Sequence, residues 1–139
     1  MKVLFDTNII LDVLLARQPF AELSAALVSQ VEQRQIEGYL CATTLTTIDY
    51  LLNKSLPAAQ AKVALKTLLT LFQVAEVNKT VLQLAVDSGF RDFEDAVQHF
   101  AGKMAGIDAL VTRNQQDFKQ AEYPVYSPQE LWAVLNSQS

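Results

Sequence analysis

The chain has 139 residues, the length of one domain, and it is taken as a single unit over residues 1–139. Half of the residues are hydrophobic and 19% are charged, which excludes a disordered composition and allows a real core. The net charge of −4 argues against a protein that coats nucleic acid with a basic face, but not against an enzyme that meets phosphates through bound cations. A single cysteine, Cys41, excludes an internal disulfide and a cysteine metal cluster, and its apolar surroundings suggest a buried bystander. No apolar run approaches the ~18 residues a membrane span needs, and the N-terminus lacks the pattern of a secretory leader. A cytoplasmic protein without membrane contact is expected.

In chain order, Lys2 to Phe5 predicts a buried strand that ends on the polar triplet Asp6-Thr7-Asn8. Ile9 to Leu15 begins a helix, and Pro19 opens a longer one, whose Leu23, Ala26, Leu27 and Val31 follow helical spacing. Glu37-Gly38 reads as the break after it. Tyr39 to Ala42 predicts a second strand, and Thr43 or Thr44 caps the next helix, with Leu45, Ile48, Leu51 and Leu52 as its stripe. Pro57 starts a further helix. Val74 to Val77 is a third strand, and a helix from Thr80 to Asp87 runs toward Gly89 as a candidate cap. Asp92 caps a helix to Met104 that stops at Gly106. Ala109 to Val111 is a fourth strand ending on Thr112-Arg113-Asn114, Tyr123 to Tyr126 an edge strand, and Pro128 opens the last helix. Strands that read as continuous apolar runs, alternating with helices, predict an α/β fold: a central, mostly parallel sheet of four to five strands covered on both faces.

In such sheets ligands bind at the carboxyl ends of the strands. Asp6-Thr7-Asn8 and Thr112-Arg113-Asn114, with Asp117 close behind, fall at two such ends, and Arg91 to Asp95 opens a helix. If the first and fourth strands are neighbours, these groups face one pocket. Carboxylates held together repel one another, and hard cations such as Mg²⁺ or Mn²⁺ relieve that repulsion. Each residue also has a plainer role. Asp6 could merely bond its own turn, and Asp92 suits an N-cap. Glu94 and Asp95 suit the positive end of a helix, Asn114 and Asp117 a turn, and Asp12 a solvated or capping position. His99, the sole histidine, lies one turn from Asp95 and is read as structural. Glycine-rich phosphate loops and a nucleophile elbow are absent from the sequence. Asn8 stands where an aspartyl phosphatase would need its second aspartate.

The run Met1 to Asp12, the segment Asp92-Phe93-Glu94-Asp95-Ala96, and the run Leu110 to Phe118 resemble, in order and spacing, the PIN domain. The likeness is closest to the toxin-like bacterial ribonucleases of the VapC type. The resemblance implies a three-layer α/β/α sandwich that cleaves RNA, with three or four acids binding one or two Mg²⁺ or Mn²⁺ ions. It also implies an antitoxin partner and a homodimer. Asp6 matches the first acid and Asp95 the third. Asn114 stands where many members carry aspartate, and Asp117 could supply that charge. The second acid, a glutamate in similar proteins, falls at Thr47. The nearest acid is Asp49, about 200° further around an ideal helix.

The expected catalytic set is therefore Asp6, Asp95, Asp117 and Asp49, with the cation on Asp6, Asp95 and Asp117. Asn8 and Thr112 would orient the acids, Asn114 would hold a metal water, and Arg113 and Arg91 would steady RNA phosphates. Three alternatives stand beside this reading: a catalytically degenerate PIN domain that binds RNA or protein, a receiver-like signalling domain, and a pure interaction subunit, which overlaps with the toxin reading. The second lacks its phospho-acceptor, because the third strand ends Glu76-Val77-Asn78-Lys79.

Overall fold

Five parallel strands form one sheet in the order β3-β2-β1-β4-β5 in the computed structural model, which describes residues 1–137. β1 (Lys2–Phe5) leads through α1 (Thr7–Leu14) and α2 (Ala21–Glu32) to β2 (Glu37–Cys41). α3 (Ala42–Ser55) and α4 (Ala58–Leu71) then reach the edge strand β3 (Gln73–Ala75). From there α5 (Lys79–Val86) and α6 (Phe93–Ala105) carry the chain back to β4 (Ala109–Val111) on the other side of β1. A short 3₁₀ turn, Gln115–Phe118, precedes β5 (Val125–Tyr126) and α7 (Pro128–Asn136).

Side chains of β1 alternate between two cores. Val3 and Phe5 join Leu40 and Val111 under α1, α2, α3, α4 and α7, while Leu4 joins Cys41 and Leu110 under α5 and α6. The sheet is thus buried on both faces, which is why its strands lack a polar stripe. The fold is the α/β/α sandwich that the apolar runs predict.

Several boundaries differ from expectation for local reasons. Glu37 and Gly38 begin β2 instead of breaking a helix. A Cβ on Gly38 would stand 2.6 Å from the Phe72 ring and 2.8 Å from Val31, so glycine here permits a close approach. Neither Thr43 nor Thr44 caps α3: Cys41 occupies that position without a side-chain capping bond, and the Thr43 and Thr44 hydroxyls pair with Cys41 Sγ and Thr7 Oγ1. β3 starts one residue early and stops at Ala75, and α5 ends at Val86 with Asp87 as its cap, without using Gly89 as a left-handed cap. α6 closes as predicted, on Gly106 at φ 77°. No helix among the described residues is long and apolar enough to cross a membrane.

Candidate active site

The chain reverses direction across the sheet at β1: β2 and β3 lie to one side of it, β4 and β5 to the other. The carboxyl ends of β1 and β4 therefore flank the crevice where parallel sheets bind ligands. Asp6 lies there, one residue past β1, and its N–H donates to Val111 O at 3.0 Å. It also caps α1. Its Oδ1 accepts from the Thr7 N–H at 2.8 Å and from Gln98 Nε2 at 3.1 Å, and its Oδ2 from Thr112 Oγ1 at 2.7 Å. The carboxyl is only 5% exposed. Burial pushes its pKa up, against the pull of these three donors, and Asp117 pushes the same way. Thr112 is fixed in turn, because its Oγ1 accepts the Asn114 N–H at 3.0 Å.

α6 brings the second group. Asp92 caps it by accepting the Asp95 N–H at 3.0 Å, which seats Asp95 in the first turn and Gln98 one turn further along the same face. The Asp95 carboxyl is pushed up to about 7, chiefly by burial and then by repulsion from Asp92, Asp6, Asp117 and Glu94. Glu94 looks toward α3, where Thr47 Oγ1 donates to its Oε1 at 3.4 Å. Asp117, on the 3₁₀ turn, is exposed. Three regions distant in sequence thus supply the site: the end of β1, the start of α6, and the end of β4 with the 3₁₀ turn that follows it.

Of the expected acids, Asp6, Asp95 and Asp117 come within electrostatic reach of one another. Asp49 does not join them. It faces solvent along α3, and its Oδ1 accepts from Asn53 Nδ2 at 3.0 Å. The acid that faces the α3 position is Glu94, through Thr47.

Asp12 is not solvated. It is fully buried, and Arg113 grips it with Nε at 2.6 Å and Nη2 at 3.2 Å, with Arg17 Nη1 at 3.7 Å. The Arg113 guanidinium also stacks 3.9 Å from the Phe20 ring centre. Its fork is thereby turned onto α1, so it ties the loop after β4 to that helix instead of reaching for phosphate. Asn8 Oδ1 accepts from Arg17 Nη1 at 3.4 Å and does not bond Asp6 or Asp95; Thr112 and Gln98 hold Asp6. The Asn114 side chain is exposed. His99 is buried away from Asp95: its Nε2 accepts the Glu122 N–H at 3.0 Å, its ring packs between Phe90 and Tyr123, and burial lowers its pKa. That is a neutral structural histidine, and Cys41 is likewise buried.

Sequence reasoning missed Gln98, Glu94 and the Asp12–Arg113 pair. Gln98 carries a signal that could have found it, its three-residue spacing from Asp95. Its Oε1 is buried without a hydrogen bond among the described residues, a cost set against its grip on Asp6.

The donor set suits a hard cation in kind. It consists of carboxylate oxygens, of which those of Asp6 and Asp95 have their charged forms disfavoured by burial and by neighbouring acids, with no histidine or thiolate among them. No three acids among the described residues converge closely enough to hold an ion as they stand. Asp117 and Glu94 are exposed and Asp95 is half-buried, so none of the three is locked in the packed core.

An all-parallel α/β/α sandwich with acids gathered at its switch point defines the class of this protein, an α/β domain with a candidate oxygen-donor site. The PIN domain family model matches residues 2–116. The chain belongs to the PIN domain family. Ribonuclease VapC1 of Aquifex aeolicus (strain VF5) is 24% identical over 141 residues, covering 98% of this chain and 96% of the relative. A toxin–antitoxin complex from Klebsiella pneumoniae contains a chain 21% identical, with a TM-score of 0.67 over 91% of this chain and 97% of that one. Mycobacterium tuberculosis VapC20, described as a sarcin-ricin-loop-cleaving toxin, is 18% identical, with a TM-score of 0.68 over 87% of this chain and 95% of that one. At these identities the two structures establish a shared fold.

Proposed function

We propose that this protein is a divalent-cation-dependent endoribonuclease, acting in the cytoplasm as the toxin of a toxin–antitoxin pair. The observation that carries the reading is the Asp6–Asp95 pair: two carboxyls from distant segments, both raised in pKa, at the crevice between β1 and β4. Asp6, Asp95 and Asp117 would hold Mg²⁺ or Mn²⁺. Glu94 would supply the carboxylate that α3 does not present to the site, since Thr47 occupies the position facing it. A cation bound there supplies Lewis acidity toward a phosphodiester and toward water. The chain's own part is positional. Thr112, Gln98 and the Thr7 N–H fix both oxygens of Asp6, and the Asp92 cap fixes the turn that carries Asp95. The described activity of the Mycobacterium relative and the similarity to Ribonuclease VapC1 support RNA as substrate, and the Klebsiella complex supports an antitoxin partner. A homodimer belongs to the same reading, and light scattering tests it: a mass twice that of the chain supports it, and a monomer removes it.

The test is incubation of the pure protein with mixed single-stranded RNA and Mn²⁺, beside Asp6→Asn and EDTA controls. Cleavage that both controls abolish is the expected result. Cleavage that survives in Asp6→Asn overturns the reading. One observation favours a second reading, a PIN domain that binds RNA or protein without cutting: α3 presents a hydroxyl, Thr47, and not an acid. A folded, partner-free protein that leaves the RNA intact selects it.

A further inference from the structure

The acids explain how a phosphate could be attacked, but not how a chain of net charge −4 would hold an RNA strand. Two of the cations near the site are committed: Arg113 and Arg17 are held by Asp12. Two are not. Arg91, in the loop before α6, and Lys119, just after the 3₁₀ turn, make no side-chain ion pair or hydrogen bond among the described residues. Both line one cleft of about 210 Å³, together with Gln116, Gln120 and the site acid Asp117. Its Phe90 wall is held by ring contacts to His99 at 4.9 Å and to Phe118 at 6.3 Å, so the cleft is a preformed feature with a fixed wall. Asp117 belongs to the cleft and to the acid site alike, which makes the two continuous.

We propose that this cleft is a subsite for a backbone phosphate of the RNA strand next to the scissile bond. Arg91 offers a planar fork and Lys119 a point charge, the two kinds of donor that grip phosphate. The amides of Gln116 and Gln120 add neutral donors, which contact the backbone whatever the base. Asp117 at the rim repels phosphate from its own edge, which directs the phosphate toward Arg91 and Lys119. The proposal rests on the ribonuclease reading for its substrate, but concerns binding alone.

The experiment measures fluorescence anisotropy of a labelled 12-nucleotide single-stranded RNA with the full chain in EDTA, over a range of salt. It compares wild type, the double variant Arg91→Gln/Lys119→Gln, and a control of equal charge loss on α4, Lys62→Gln/Lys66→Gln. Loss of two phosphate contacts lowers the salt slope by about 1.4, at roughly 0.7 per charge on a single strand, and weakens binding about tenfold near physiological salt. The control keeps the wild-type slope. All four positions are exposed, so the fold is retained, and circular dichroism checks it. A double variant that binds like wild type, or a control that loses as much, overturns the subsite. The cleavage assay separates the two readings. Cleavage without any effect of Arg91 and Lys119 on binding removes the subsite and leaves the nuclease. Cleft-dependent binding without cleavage supports the subsite and removes the nuclease. A wild type that neither binds nor cuts RNA overturns both.

Discussion

Asp95 shows how much a position in the fold changes a residue. In an open helix its carboxyl would titrate near 3.8; here burial and four neighbouring acids push it up to about 7. The folded chain therefore keeps a proton that the unfolded chain loses near pH 4, and stability falls as pH rises between those values. Asparagine cannot ionise, so Asp95→Asn relieves the repulsion. The Tm advantage of Asp95→Asn over wild type, measured in EDTA, should be small at pH 4, grow to pH 7 and stay level above it. Solvent screening at this half-exposed group leaves a plateau of about 1 kcal/mol, or about 3–5 °C. His99, whose lowered pKa works in the opposite direction, is present in both proteins and cancels. A gap that shrinks with pH would contradict the crowding of acids. Gln98 gives a second residue-scale prediction. Gln98→Met keeps the volume but removes one of Asp6's donors, so RNA cleavage should fall about tenfold while stability changes by less than about 1.5 kcal/mol. Unchanged cleavage would reduce Gln98 to packing. The places of Asp6, Asp95 and Asp117 beside strand ends and a helix start were legible, but the pattern alone suited turns and caps at least as well, and only the likeness to the PIN domain joined them into one candidate site. Asp12 was not legible: its partner Arg113 lies 101 residues away, and no local pattern joins them.

Elements decide which of these side chains can meet. The apolar runs marked every strand, most sharply β1 and β4, whose inner residues are buried on both faces and leave no polar positions to confuse the pattern. Boundaries failed where tertiary contact overrode local habit. Glu37-Gly38 looks like a helix break, yet the approach of Phe72 requires a glycine in a strand at that point. Thr43 and Thr44 look like caps, yet Thr44 is buried against Thr7 and helps lock α3 to α1. At Gly106 local habit prevailed. With φ at 77° and no heavy atom within 4 Å of an added Cβ, Gly106→Ala should cost only the conformational term, about 1 kcal/mol, read as a matching fall in denaturation midpoint with unchanged slope. A loss above about 3 kcal/mol would imply a clash that the geometry lacks. The Asp12–Arg113 tie between α1 and the loop after β4 should cost more. Arg113→Ala strands a fully buried carboxylate with only Arg17 at 3.7 Å, a loss of about 3 kcal/mol by chemical denaturation. A loss under about 1 kcal/mol would mean that the loop is held by other contacts.

The whole molecule adds the one fact that no stretch of sequence contains, the strand order. Alternation of strands and helices establishes a parallel sheet, but whether β4 lies beside β1 or beyond β3 is a question of how the chain crosses back. The site exists because it crosses back: with β4 on the far edge, Thr112 could not reach Asp6. A cation shared by Asp6, Asp95 and Asp117 would therefore bridge the end of β1, the start of α6 and the turn after β4. It would stabilise the folded state as a unit by mass action. Mn²⁺ at about 100 times its Kd should add about 2.7 kcal/mol, a rise in Tm of roughly 10 °C above the EDTA value. Asp6→Asn should lose most of that rise, because it removes the acid that the other groups surround. Asp49→Asn should keep it, since that carboxylate faces Asn53 and solvent. If Asp49→Asn lost the rise as well, α3 would have to turn its outer face inward when the cation binds, and the second acid would be Asp49 after all. If wild type showed no rise, the repulsion around Asp95 would go unrelieved by any cation, and the protein would be a binding module built on an acidic fold.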